Sequence, residues 1–229
     1  MINNDNPEIE SLVTPVNVLT KIWFSPKQVF TFIETHKYSK YVTLLLILSG
    51  ISKALDKALS KNMGDYLPFW GVIICVILIG ISFGQLFNLL LAAALKWAGK
   101  WMNGQGDTRS ILKIIAYAMI PSICSIFLTA IQFPIYGSLI FQSSLSYLLI
   151  ESPYYQIYYL YVIIDILLVI WSIILLVIGL SVVQKFSIFK AVLNVVIAAV
   201  LIACAALALF LIIDLFQPFP NQSLTRFLF

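Results

Sequence analysis

Long apolar stretches alternate with short polar ones along this chain, at a spacing that belongs to membrane-crossing helices. Five stretches stand out, at about 41–59, 67–95, 111–133, 155–180 and 191–216. Each is near or above the roughly 20 residues that a helix needs to cross a bilayer. The first is the weakest, because Lys53, Asp56 and Lys57 interrupt its second half. The second, 67–95, corresponds to roughly 43 Å of helix and is expected to tilt or project. The third carries Pro121 near its middle, the fourth holds Asp165 and the fifth ends with Asp214. Residues 134–150 are apolar but short, with Gln142, Ser143, Ser144 and Ser146, which predicts an interfacial or re-entrant segment.

The two ends read differently. Residues 1–17 form a polar tail with Asp5, Glu8 and Glu10; without a basic or apolar leader pattern, no cleavable signal peptide is expected. Residues 18–40 carry helix-start signals: Ser25 as N-cap, Pro26 at the first helical position and Gln28 to complete a capping box. Phe24 and Val29 flank the box as a hydrophobic staple, and Val29, Phe30 and Ile33 share one face. A helix this short cannot span. It either lies flat in the headgroup layer or packs on the bundle as an ordinary capped helix. Residues 217–229 form a C-terminal tail. The expected fold is therefore an all-α integral membrane protein, a five-helix transmembrane bundle with a short N-terminal interfacial amphipathic helix.

Composition agrees. Apolar residues make up 61% of the 229 positions and charged ones 10%, against about 45–50% and 25% in soluble domains. Soluble enzymes, nucleic-acid binders and secreted disulfide scaffolds are excluded. The net charge of +4 comes from scattered bases and forms no nucleic-acid stripe. Cys75, Cys124 and Cys204 all lie inside apolar stretches, where free cysteine packs as a small hydrophobe. The single histidine, His36, cannot assemble a metal site alone. Gly104-x-Gly106 follows no strand and precedes no GK[ST], so it is not a nucleotide loop; Asp107 or Thr108 more naturally caps the next helix. No catalytic set, metal-ligand spacing or cofactor motif is present, and neither cofactor nor enzyme chemistry is expected.

Charge position decides the topology. With five spans and the N-terminus inside, Lys21, Lys27, Lys37, Lys40, Lys96, Lys100, Arg109, Lys113, Lys185 and Lys190 are cytoplasmic. Ten of the fourteen bases then lie inside, leaving Lys53, Lys57, Lys61 and Arg226 on the other side. If 41–59 does not span, the division falls to eight against six and the bias disappears. The bias of Lys and Arg toward the cytoplasm favours five spans, N-terminus in and C-terminus out. Trp70, Trp97, Trp101, Tyr154, Tyr155, Tyr158 and Tyr159 fall near span ends, where aromatic belts form.

Ionisable groups at membrane depth are expensive and are functional candidates by default. Asp165 lies ten residues into the fourth span, near the midplane, and Lys53 is the base at similar depth, so a contact between them is expected. The competing expectation has Lys53 snorkelling outward and Asp165 protonated against a carbonyl or tyrosine. Gln85 and Asn88 are expected interhelical hydrogen-bond partners, and Gly80-x-x-x-Gly84 offers a face for close helix approach, including in a homodimer. Pro121 opposes the carbonyl of Tyr117 one turn back, so the third span should kink there and could hinge.

Three stretches resemble the Yip1 domain family in its prokaryotic branch. They are Trp23-Phe24-Ser25-Pro26 with Phe30; Gly104 to Arg109 running into Tyr117 and Pro121; and Trp171 through Gly179 into Lys185 to Ala191. The resemblance covers roughly 18–200. It implies five transmembrane helices with a cytosolic N-terminus in a bacterial inner membrane. It also marks Tyr117, Pro121, Trp171, Gly179 and Lys190 as architectural or interaction residues, none catalytic. Eukaryotic members act in early secretory traffic and contact prenylated Rab GTPases. This chain lacks their long N-terminal region and its acidic-aromatic motif. The expected role is non-enzymatic membrane organisation or interaction through a basic cytoplasmic face, with anionic headgroups and a membrane-protein partner or second copy as partners. The alternative is a small transporter or channel using Asp165 and Lys53, with Pro121 as hinge.

Overall fold

The computed structural model describes residues 13–145 and 155–216, with side chains as far as 212. The terminal tails, the second part of the 134–150 segment and the side chain of Asp214 lie outside the described residues. The described chain is helical throughout: α1 (Val18–Lys21), α2 (Pro26–Thr35), α3 (Val42–Ser60), α4 (Phe69–Trp101), α5 (Thr108–Ala118), α6 (Ile120–Ile123), α7 (Ser125–Tyr136), α8 (Tyr155–Val183) and α9 (Ile188–Phe216). Short 3-10 turns occupy Met63–Asp65 and Gly137–Phe141.

Four segments are long and apolar enough to cross a membrane: Phe69–Trp101, Ile120–Phe141, Tyr155–Val183 and Ile188–Ile212. The third apolar stretch thus divides differently from its expected bounds of 111–133. Thr108–Ala118 is amphipathic and buries one face in the core, while the apolar crossing begins at Ile120 and continues past Pro134, which sits inside α7. The chain breaks helical continuity at Met119 and again at Cys124, either side of Pro121. Proline cannot donate to the carbonyl one turn back and crowds it, which is why the interruption falls there.

α3 and α4 are antiparallel and cross at backbone contact. A Cβ built on Gly50 would stand 2.2 Å from the carbonyl oxygen of Gly80, and one on Gly84 would stand 2.4 Å from the Cα of Gly50. The Gly80/Gly84 face is therefore filled by α3 of the same chain and is not open to a second copy. In an apolar solvent helices gain little by hiding hydrophobic area, so close approach through small residues is what holds this pair.

α2 does not lie free in a headgroup layer. Val29, Phe30 and Ile33 are fully buried, and Phe30 packs at Gly179 of α8. The Ser25 side chain makes no capping hydrogen bond, so the capping box does not form; the buried apolar face fixes α2 in its place. Asp107 does cap α5, accepting from the Ser110 N–H at 2.9 Å.

Two cores result. The larger joins α2, α5 and the second half of α8 around Phe30, Ile114, Ile115, Tyr117, Leu175 and Leu180. The smaller lies at the other end of the bundle, around Leu55, Val72, Val76, Tyr136 and Phe141. α9 leans on α4 and α8 through Ala191, Asn194 and Ala198 and leaves most of its apolar surface exposed, as a lipid-facing helix does.

Candidate functional site

The two ends of the bundle carry different chemistry. At one end three basic segments are brought together: α1–α2 with the residues after them, the 96–113 region, and the 185–190 turn. The Ser110 hydroxyl donates to the Glu34 carboxylate at 3.4 Å, and the Tyr117 hydroxyl donates to the Lys40 carbonyl. Gln184 joins the other two segments. Its Oε1 accepts from the Gly106 N–H at 3.0 Å, its backbone carbonyl accepts from the Gln105 N–H at 3.4 Å, and its Nε2 donates to the Leu95 carbonyl at 3.4 Å. A Cβ on Gly99 or Gly104 would collide with the Gln184 amide at 2.4 and 2.3 Å, which explains the glycines of the 99–106 loop. They make room for a buried glutamine, and no phosphate is needed to account for them. Asn194 adds a second donor to the Leu95 carbonyl, at 3.1 Å. Lys100, Arg109, Lys185 and Lys190 remain exposed around this end, as does Phe189. Asp107 lies on the same rim, and the hydrogen bonds from Ser110 hold its carboxyl below the usual range.

The other end is open around a cavity whose charged lining residues, among those described, are both acidic. This cavity of about 720 Å³ lies between α3, α7, α8 and the turn after Gly137. Asp56 and Asp165 line it from α3 and α8. Ser125, Thr129 and Gln132 line it from α7, and Tyr155, Tyr158, Tyr159 and Tyr161 from α8. Leu59, Leu128, Ile140, Leu145, Val162 and Ile166 supply the apolar part of the wall. The rim is tied by Asp65, which accepts from the Ser143 N–H at 3.0 Å. Below it, hydroxyls satisfy the broken helix. Ser52 donates to the Ser122 carbonyl at 2.8 Å, Ser172 accepts from the Ser122 N–H at 3.0 Å, and the Ser52 and Ser125 hydroxyls meet at 2.9 Å. Freed backbone groups at a proline break in a membrane helix need such partners.

The expected Lys53–Asp165 contact is absent. Lys53 reaches back along α3, as helical side chains do, and its Nζ donates to Asn88 Oδ1 at 3.0 Å while lying 4.7 Å from the Phe87 ring centroid. Asn88 in turn donates to the Ser49 hydroxyl at 3.1 Å and the Leu46 carbonyl at 3.4 Å. Lys53 therefore neither snorkels outward nor meets Asp165. It closes the α3–α4 crossing, whose register is set by Gly50 against Gly80 and Gly84. Gln85 sits one turn from this network, and its buried Nε2 has no hydrogen-bond partner. Asp165 Oδ1 is likewise shielded and unpartnered.

Tyr117 lies fully buried in the larger core, and Pro121 is buried on α6. Trp171 packs on that core with an unpartnered Nε1. Gly179 is where α8 approaches α5, since a Cβ there would stand 2.3 Å from Ile114 Cγ2. Asp56 was read from the sequence only as an interruption of an apolar run. A better signal was available, because Ser49, Ser52 and Asp56 repeat at helical spacing and mark a polar face of α3. Among the described residues no group of three or more His, Cys, Asp or Glu is placed to hold a metal ion.

No curated protein and no solved structure matches the chain. The model of the Yip1 domain matches residues 20–210, from α1 through most of α9, and so takes in both ends of the bundle. With four helices apolar enough to cross a bilayer and a match over most of its length, this multi-pass membrane protein belongs to the Yip1 domain family.

Proposed function

We propose that the protein is a non-enzymatic membrane-organising or interaction protein with five spans, N-terminus in the cytoplasm and C-terminus outside, in a bacterial inner membrane. In this reading α3 is the remaining span. Its 19 residues suffice in length, and Lys53 is met by Asn88 inside the bundle. The working surface is the basic end, whose bases lie near anionic headgroups and a membrane-protein partner, each worth about 1 kcal/mol close to an anionic surface. One observation carries the reading: separate basic segments are locked into one end by Gln184, Glu34 and Tyr117. A platform for headgroups or a partner needs that rigidity.

The alternative is a small transporter, and the cavity with Asp165 favours it. Against it stands the larger core, where Ile114, Tyr117, Leu175 and Leu180 are fully buried between the cavity and the basic end. That alternative also uses Lys53 beside Asp165, and Lys53 is engaged with Asn88.

The test is lipid retention measured by native mass spectrometry of protein purified in mild detergent. Wild type is expected to hold phosphatidylglycerol, and a Lys100→Gln/Arg109→Gln/Lys185→Gln/Lys190→Gln variant to lose it. Equal retention by the two proteins contradicts the reading.

A further inference from the structure

The cavity at the acidic end has features that the proposed function leaves unused. Its volume of about 720 Å³ falls within the roughly 300–1,000 Å³ typical of small-molecule sites. Its wall combines aliphatic side chains and a run of tyrosines from α8, which offer an apolar and aromatic face, with serines, amides and two carboxylates that offer a polar one. Its two charged groups have the same sign. Asp56 and Asp165 line it from different helices, α3 and α8, and no Lys, Arg or His is among the described lining residues. Lys53, one turn before Asp56 on α3, is turned away toward Asn88, and Lys57, next to Asp56, is exposed and does not line the cavity. One oxygen of Asp165 is closed off from solvent without any hydrogen-bond partner. Two carboxylates lining one cavity inside the bundle, with no cation among the described lining residues, are costly. A positive charge placed between them removes that cost.

We propose that this cavity binds an organic cation with an apolar body. The charge sits between Asp56 and Asp165, and the body lies against Tyr158, Tyr159, Leu128 and Val162. Tyrosine faces attract such a charge in addition to the carboxylates. An inorganic ion would leave the apolar wall and most of the volume unused. The occupant is either a free lipophilic cation or the ammonium headgroup of a lipid, and the two share this chemistry. The site is at the far end from the basic surface and stands or falls independently of it.

The probe is tetraphenylphosphonium, with tetraphenylborate as an isosteric anion. Binding is measured by equilibrium dialysis of the full chain in dodecyl maltoside, which has no ammonium group. Wild type is expected to bind the cation saturably and not the anion. Asp56→Asn and Asp165→Asn should each weaken binding roughly tenfold, the scale of losing the coulombic attraction of one carboxylate in a partly buried site. Val162→Trp fills the cavity while leaving both carboxylates in place, and it should also abolish binding. It keeps the proposal open to test if either Asn variant fails to keep the wild-type melting temperature. Displacement of the probe by phosphatidylethanolamine but not phosphatidylglycerol assigns the site to a lipid headgroup; displacement by neither assigns it to a free cation. No saturable binding by wild type, equal binding of the anion, or unchanged binding in folded Asp56→Asn/Asp165→Asn overturns the proposal.

Discussion

The two halves of this bundle solve the same problem in opposite ways. Both must bury polar groups in an apolar solvent. The basic half does so mostly by pairing them: Gln184, Asn194 and Tyr117 each donate to a backbone carbonyl, Gln184 also accepts from the Gly106 N–H, and the space around them is filled by Phe30, Ile114 and Leu180, with Asn194 Oδ1 and Trp171 Nε1 left unpartnered. The acidic half leaves room instead. Asp56 and Asp165 face a cavity, and every buried residue of α8 lies in its second half, from Ser172 onward. Packing density therefore follows the axis of the molecule: a filled half can hold a surface in shape, whereas an open half can admit a ligand.

The sharpest way to break the comparison is at the seam that α3 and α4 share across both halves. Gly50→Leu places a side chain where 2.2 Å separates an added Cβ from the Gly80 carbonyl oxygen. Neither backbone can yield locally, so a loss of more than about 3 kcal/mol is expected, beyond ordinary overpacking. Failure of the variant to fold in detergent, or a large fall in melting temperature, checks this.

Cavity-forming substitutions should then separate the halves. Leu180→Ala in the filled half should cost about 2–4 kcal/mol. Leu128→Ala, on the cavity wall, should cost well under about 1 kcal/mol, since it enlarges a space that already exists. Paired denaturation curves measure both, and equal costs would erase the distinction.

A smaller effect tests the polar seam. Asn88→Leu leaves the Lys53 ammonium without its acceptor and should cost about 1–3 kcal/mol, much of it recovered by adding Lys53→Met. A double-mutant cycle between Lys53→Met and Asp165→Asn should give a coupling near zero, because the two side chains do not meet. A clear coupling would restore the midplane pair.

The smallest effect is at the rim. Asp107→Ala removes the α5 cap and should cost about 1 kcal/mol. The folded-state carboxyl is held below its usual range by Ser110. Its contribution is therefore complete above the ordinary carboxylate pKa and is lost as the pH falls through the lowered folded value. Thermal scans of wild type and variant across acidic pH should converge at the low end.

How far these features could be read from the sequence varies with what sets them. Four of the five expected crossing helices (the third with shifted bounds), the Asp107 cap and the break at Pro121 depend on local pattern and were legible in it. The Lys53–Asn88 pairing was not, because it depends on the register between two helices, which is fixed by glycines 30 residues apart in the chain. Equal depth in the membrane suggested Lys53 and Asp165 as partners, but depth carries no information about which way a helix face turns. Tyr158 and Tyr159 read as belt aromatics by their position near a span end, and that same position puts them in the cavity wall. The fate of the Ser25 box shows the converse: a complete capping pattern went unused because tertiary burial of Phe30 and Ile33 decided the geometry.

The most direct test of a closed basic half and an open acidic half is labelling with a membrane-impermeant thiol reagent in sealed, oriented vesicles. Cys75, Cys124 and Cys204 are first replaced by Ala, and single cysteines are then placed at Gln132 in the cavity and at Lys100 on the basic rim. The account predicts that Gln132→Cys is labelled only from outside and Lys100→Cys only from the cytoplasmic side. Labelling of both positions from one side would contradict the topology, and labelling of Gln132→Cys from both sides would show a path through the filled half.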